Sequence, residues 1–225
     1  MTMFTKKGRS NYGVHTHRNK ILAVLAFLLA ALAVTLVLVI ISQRKNGPGN
    51  ERDELRRLWE EGSYYEVFEK SRQALAEKPL DYFLLTLNGF SAYQLGIAQI
   101  NTTDTLTYID SCILSLRRAI LLKNAAGDGR VYYVLGRAYH YKGDDYADLA
   151  IEYLERAKAL SYDAEDIPEF LGLAYAAVHD FRSSVAAFSQ ALNKDSDILL
   201  LSIAESYIAL EEYDSARAYL LRCIE

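Results

Sequence analysis

The sequence Leu-Gly-Arg-Ala-Tyr at residues 135–139 recurs as Leu-Gly-Leu-Ala-Tyr at residues 171–175 and, in altered form, as Ile-Ala-Glu-Ser-Tyr at residues 203–207. Each copy places a small residue, such as Gly136, among large ones. A small residue of this kind lets two helices approach closely, and the large residues around it fill the gap between them. The pattern predicts one half of a repeated helical unit.

A second pattern predicts the other half of the unit. Residues 62–79, 180–195 and 212–223 each begin with a turn and an aromatic residue. Each segment then carries two small residues seven positions apart, for example Ala216 and Cys223. The alternation of the two patterns predicts pairs of helices along the chain.

Together the two patterns resemble the tetratricopeptide repeat (TPR) family, in which two antiparallel helices make up a unit of about 34 residues. The resemblance implies an all-α fold, an α-solenoid of about five TPR helix pairs over residues 51–225. Each pair leaves an apolar face that its neighbour covers, so such pairs occur in arrays. The expected units are about 51–81, 82–127, 128–164, 165–196 and 197–225.

Two irregularities interrupt the expected array. Residues 97–107 are extra and polar, which predicts a surface loop between the two helices of the second unit. The last helix leaves Leu220, Leu221 and Ile224 with an open apolar face. We expect either a continuing chain, a protein partner or a second copy in a homo-oligomer to cover that end.

Residues 21–41 are uncharged and almost entirely apolar. A helix over them would span about 31 Å, close to the hydrocarbon thickness of a membrane. We therefore expect a single-pass transmembrane helix at 21–41, between a basic N-terminal tail at 1–20 and a linker at 42–50. A cleavable signal peptide is the rival reading, but its apolar region would be shorter. The basic tail favours a cytoplasmic N-terminus and an extracytoplasmic body, periplasmic in a bacterium. The reverse orientation stays open.

Charge and composition exclude several function classes. The five basic residues of 1–20 leave the rest of the 225-residue chain acidic, which argues against a nucleic-acid partner. Two cysteines cannot form a disulfide scaffold, and Cys112 and Cys223 fall on positions that favour small core residues. No motif predicts a metal site, a cofactor or catalytic residues, so we expect no enzyme activity.

The resemblance instead implies a protein-binding groove lined by the first helices of the pairs. Tyr and Arg are enriched at interface hot spots, and we expect Arg130 and Arg137 to hold a carboxylate of an extended or helical segment. The alternative is that several aromatic residues only pack on adjacent helices. The expected groove residues are Phe83, Phe90, Tyr93, Arg130, Tyr133, Arg137, His140, Tyr141 and Leu173.

Two functions fit this organisation. The first is a membrane-anchored scaffold or adaptor for protein–protein interactions in a cell-envelope assembly. The second is a chaperone-like or import-receptor adaptor that holds client polypeptides, with the body in the cytoplasm if the orientation is reversed. The sequence does not identify the partner.

Overall fold

A computed structural model of the protein describes residues 31–37, 48–122, 127–191 and 196–223. These residues are helical with short connections, and no strand occurs among them. Two compact units are present, Met1–Glu54 and Leu55–Glu225. Besides the helical residues 31–37, the helices are α1 (Pro48–Glu60), α2 (Tyr64–Glu77), α3 (Tyr82–Ile97), α4 (Thr102–Ile120), α5 (Gly129–Lys142), α6 (Ala147–Ala159), α7 (Ile167–Ala177), α8 (Phe181–Phe188), α9 (Asp197–Ala209) and α10 (Tyr213–Arg222), with a 3₁₀ turn at Asp144–Tyr146 before α6.

The second unit is the predicted α-solenoid. From α2 to α10, each helix packs against the next one in the chain. The first helices of neighbouring pairs also touch, α3 with α5, α5 with α7 and α7 with α9. These first helices therefore lie side by side on one face of the array. The boundaries of the individual repeat units stay a prediction.

The small residues predicted at helix contacts lie where helices cross most closely. A Cβ atom added to Gly89 would approach Leu116 to 2.4 Å, and one added to Gly136 would approach Leu154 to 2.6 Å. Both leucines are fully buried. Glycine fits these positions because a Cβ atom would collide with a leucine that packed neighbours enclose.

Similar turns end several helices. The backbone N–H of Ser63 donates to the carbonyl of Leu58, and that of Tyr162 donates to the carbonyl of Ala157. The residues before these two donors, Gly62 and Ser161, have φ of 73° and 58°. This is the left-handed C-terminal turn that closes helices and satisfies their last carbonyls.

A buried polar cluster joins α2, α3 and α4. The Asn88 side chain is 4% exposed, and its amide N–H groups donate to the carbonyl of Phe68 at 3.0 Å and to Oγ of Ser71 at 2.9 Å. Its amide oxygen accepts from Oγ of Ser115 at 2.8 Å. The cluster fixes how the three helices align, because any shift would leave buried polar groups without partners.

The prediction of a loop at residues 97–107 is wrong for most of that segment. Helix α4 begins at Thr102, and the connection from α3 is short. The side-chain oxygen of Asn101 accepts from the backbone N–H of Asp104 at 2.8 Å, and the Asn101 amide donates to the Asp104 carboxylate at 2.6 Å. This cap starts the helix early, so the extra residues lengthen α4 instead of forming a loop.

The membrane location predicted from residues 21–41 is corrected by the structure. None of the described helices combines the length and apolar character needed to cross a membrane. Within that segment the structure describes the helical residues 31–37, which span about 10 Å at about 1.5 Å per residue. Residues 21–30 and 38–41 lie outside the described residues. The single-pass location with an extracytoplasmic body is therefore withdrawn.

The tail and the linker predicted on either side of residues 21–41 are described only in part. The tail at 1–20 and residues 42–47 of the linker lie outside the described residues, and α1 begins at Pro48, inside the predicted linker. Proline is favoured in the first turn of a helix because its φ is already suitable.

Cys112 is fully buried as predicted, whereas Cys223 is partly exposed. Leu220 and Leu221 are 39% and 46% exposed, and their contact with a partner or second copy stays a prediction.

Candidate functional site

An open cavity of about 430 Å³ lies on the face formed by α1, α3 and α5. Its size falls in the range of ligand-binding clefts. Aromatic side chains make up most of its wall. The lining residues are Trp59, Phe83, Thr86, Leu87, Phe90, Tyr93, Gln94, Arg130, Tyr133, Val134 and Tyr162.

Several rings of the cavity pack against one another at tilted angles. The centroids of Trp59 and Phe90 are 6.4 Å apart, and those of Tyr133 and Tyr162 are 5.2 Å apart. These are favourable aromatic separations, so the rings hold each other in place. The wall is therefore formed before any ligand binds.

Arg137 lies beside the cavity, where it joins three successive first helices. Its guanidinium carbon is 4.4 Å from the ring centroid of Phe170 on α7 and 5.4 Å from that of Tyr93 on α3. Its Nη1 is 3.0 Å from the Asp166 carboxylate and donates to the hydroxyl of Tyr133 at 2.8 Å. With 19% of its side chain exposed, Arg137 acts first as a packing and charge-pairing residue.

Tyr133 connects this arginine to the start of α7. Its hydroxyl donates to the Asp166 carboxylate, whose oxygens are 2.8 and 2.9 Å away. Burial raises the pKa of Tyr133 to about 12. The hydroxyl therefore keeps its proton at neutral pH and remains a donor to Asp166.

Arg130 stands at the rim of the cavity with 63% of its side chain exposed. Its Nε and Nη2 each donate to the Asp128 carboxylate at 3.0 Å, and Asp128 also accepts from the hydroxyl of Tyr82 at 3.0 Å. Burial alone would raise the pKa of Asp128, but the hydrogen bond and charge of Arg130 hold it below its usual value. Asp128 is therefore ionised and neutralises Arg130.

Two buried polar atoms of the described residues have no hydrogen-bond partner, the hydroxyl oxygen of Tyr93 and Nε of Arg137. A buried unpaired donor costs about 1–3 kcal/mol, and such groups are rare in folded proteins. Tyr93 lines the cavity, and Arg137 packs against its ring. A ligand would reach them only if neighbouring side chains moved.

His140 lies further along α5, away from the aromatic cavity. Its ring is 5.0 Å from that of Phe170. Burial, followed by the positive charge of Arg137, lowers the pKa of His140 from its ordinary value of 6.5. The imidazole is therefore neutral at pH 7 and packs as an uncharged aromatic group.

The structure brings together some of the predicted groove residues and separates others. Five of them line the aromatic cavity: Phe83, Phe90, Tyr93, Arg130 and Tyr133. His140 and Leu173 instead line a separate cavity of about 100 Å³. Tyr141 is 37% exposed and contacts the ring of Tyr93. Arg137 is not among the lining residues of either cavity and lies against Tyr93 and Phe170.

Sequence reasoning missed Trp59 and Tyr162 as lining residues. Trp59 occupies in α1 the same repeat position that Tyr93 occupies in α3, so extending the repeat numbering to the first unit would have found it. Tyr162 lies in the turn before α7. No repeat position marks a turn residue as part of a groove.

No protein-family model and no curated protein sequence matches the chain. Solved structures do resemble it. A crystal structure of MamA protein has a TM-score of 0.61 and 20% identity over 77% of this chain and 88% of its own. A MamA AMB-1 structure has a TM-score of 0.63 and 19% identity over 77% and 94%.

A third structure is that of YrrB, described as a TPR protein with an unusual peptide-binding site. Its TM-score is 0.61, at 14% identity over 83% of this chain and 90% of its own. At identities this low, the likeness establishes the fold. The fold is that of a TPR solenoid. The cavity lies on the first helices of the TPR array, the helices that the sequence resemblance assigns to a groove.

Proposed function

We propose that the chain is a non-catalytic adaptor that binds a peptide segment of a partner protein on the first helices of its TPR array. The observation that carries the proposal is the open aromatic cavity of about 430 Å³ between α1, α3 and α5. Exposed aromatic walls of this size are favourable anchor sites in protein interfaces. The described peptide-binding site of YrrB supports the same use of the fold.

The five predicted groove residues that line the cavity form the centre of this proposed site: Phe83, Phe90, Tyr93, Arg130 and Tyr133. Arg137 supports the site by holding α3, α5 and α7 together. The role in a cell-envelope assembly depended on a membrane anchor and is not part of the proposal. Both a scaffold with one partner and a chaperone-like adaptor with many clients would use the cavity, and they differ in how narrow its ligand preference is.

Trp59 provides a direct test, because it is the single tryptophan of the chain and it lines the cavity. Random dodecamer peptides displayed on phage are selected on the full chain, and tryptophan-free winners are titrated against it. We expect the emission of Trp59 to shift to shorter wavelength, because a bound peptide replaces water around the indole ring.

The variant Phe90→Ala removes a ring from the cavity wall, and we expect it to weaken binding about tenfold or more. Tyr65→Ala is the matched control, since Tyr65 is 60% exposed and does not line the cavity. If selected peptides bind both variants equally and leave the emission of Trp59 unchanged, the site lies elsewhere and the proposal is wrong.

A further inference from the structure

We infer that the cavity selects an extended peptide through one bulky, uncharged side chain, and not through a carboxylate held by Arg130 and Arg137. This inference rests on the proposed function and specifies the chemistry of its ligand. It departs from the expectation of a carboxylate-binding groove. Three features of the cavity support it: paired charges, aromatic walls and one amide that makes no hydrogen bond within the described residues.

The charges around the cavity are already paired. Arg130 is joined to Asp128 by two hydrogen bonds of 3.0 Å, and Arg137 lies 3.0 Å from the carboxylate of Asp166. A carboxylate from a ligand would have to approach a second carboxylate at either arginine, which cancels most of the attraction. The arginines therefore give little preference for an acidic ligand.

A cationic side chain is also disfavoured. The guanidinium of Arg137 already covers the rings of Tyr93 and Tyr133, with centroid distances of 5.4 and 5.6 Å. At these two rings a lysine or arginine of the ligand would meet like charge where it would otherwise gain a cation–π contact. The guanidinium of Arg56 covers the ring of Phe83 in the same way, at 5.3 Å from its centroid. An uncharged side chain meets neither obstacle.

The aromatic walls favour a large apolar or aromatic side chain. Trp59, Phe90, Tyr133 and Tyr162 line a space of about 430 Å³, which is large enough for one bulky side chain. Water beside aromatic walls makes few hydrogen bonds, so its displacement by a bulky apolar group is favourable. One such side chain fits without opening the helices.

The Gln94 amide points to an extended ligand. Gln94 lines the cavity four residues after Phe90, on the same face of α3. Its side chain is half-buried and makes no hydrogen bond within the described part of the chain. A primary amide can donate to a backbone carbonyl and accept from a backbone N–H at once. Extended peptides offer both groups, whereas a helical ligand uses them internally.

The experiment uses the tightest tryptophan-free dodecamer selected on the full chain and four synthetic versions of it. The anchor position, found by alanine scanning, carries Phe, Leu, Asp or Lys, and each version is titrated by Trp59 emission. We expect the Phe and Leu peptides to bind about tenfold or more tightly than the Asp and Lys peptides. Raising NaCl from about 50 to about 500 mM should change Kd less than about twofold, because paired charges contribute little.

Two variants complete the test. We expect Gln94→Ala to weaken binding about tenfold through lost backbone hydrogen bonds, and Gln73→Ala, an exposed glutamine on α2, to leave it unchanged. In Arg130→Glu the order of the four peptides should stay the same, with the Phe and Leu peptides binding most tightly, because Arg130 is not the group that recognises the anchor. Circular dichroism confirms that each variant is folded.

The outcomes separate the inference from the proposed function. The inference would be overturned if the selected peptides require Asp or Glu, bind more weakly as the salt concentration rises and no longer bind Arg130→Glu. The groove would then still be a peptide site. Unchanged binding by Gln94→Ala would overturn the extended main-chain contact. If no selected peptide alters Trp59 emission, the proposed function itself fails.

Discussion

Replacing Gly172 by alanine tests how closely helices α7 and α8 pack. A Cβ atom added to Gly172 would lie 2.4 Å from Cδ1 and 2.5 Å from Cε1 of Phe188, against 3.4 Å or more for an ordinary contact. Phe188 is fully buried and packs with Ala191, Leu199 and Ile203. The ring cannot turn away without displacing α9, so the two helices of the fourth pair must separate.

The magnitude follows from two opposing terms. Overpacking of a core costs about 1–3 kcal/mol, and a rigid, enclosed ring favours the upper end of that range. Alanine stabilises a helix interior by about 1 kcal/mol relative to glycine. We therefore expect Gly172→Ala to lower the free energy of unfolding by about 2 kcal/mol.

Urea unfolding followed by far-UV circular dichroism measures the effect. Gly127→Ala is the control, because no atom lies within 4 Å of its added Cβ. In the double variant Gly172→Ala/Phe188→Leu the smaller side chain relieves the clash, so the loss should be less than the sum of the single losses. A Gly172→Ala protein as stable as the parent would refute the reasoning, since helix propensity alone would then decide the outcome.

Two further predictions concern buried polar groups. Asn88→Ala leaves several buried partners unpaired and should lower the free energy of unfolding, measured in urea, by about 2–3 kcal/mol. Asn101→Ala removes a cap at an exposed helix start and should lower it by about 1 kcal/mol. Equal losses for the two variants would contradict a buried role for Asn88. The pKa of His140 is lower in the folded chain than its ordinary value of 6.5, so the unfolded chain binds a proton first and stability should fall as pH drops below about 6.5. This loss of stability at low pH should be absent in His140→Gln and present in His179→Gln. If the loss is still present in His140→Gln, another group causes it.

The repeat pattern predicted the helical solenoid because close helix crossings require specific residues. Gly136 and Gly172 allow no side chain in these packed pairs, so the requirement is visible in the sequence itself. The error at 97–107 had a local cause. The segment is polar and rich in threonine, which predicts a loop. The same segment also carries a helix-start signal, because Asp104 follows Asn101 by three residues.

The site was less predictable than the fold. Repeat numbering found Phe90 and Tyr133 because their helices follow the pattern. It could not show that Arg137 pairs with Asp166, since that contact depends on how neighbouring repeats pack. Arg130 differs, because its partner Asp128 lies two residues before it in the chain and the pair is local. Whether an arginine is available to a ligand therefore depends on both local and tertiary pairs.

The position of Arg137 also makes cooperativity uneven along the array. In a linear repeat protein each pair normally gains stability only from its neighbours, so an end can unfold while the rest stays intact. One guanidinium here contacts rings on α3 and α7 while belonging to α5. The three central pairs should therefore open together, with similar amide-exchange protection, whereas α9 and α10 can open alone. A partner bound at the aromatic cavity, which Trp59 of α1 also lines, would then stabilise the first pair together with this block and leave the last pair free to fluctuate.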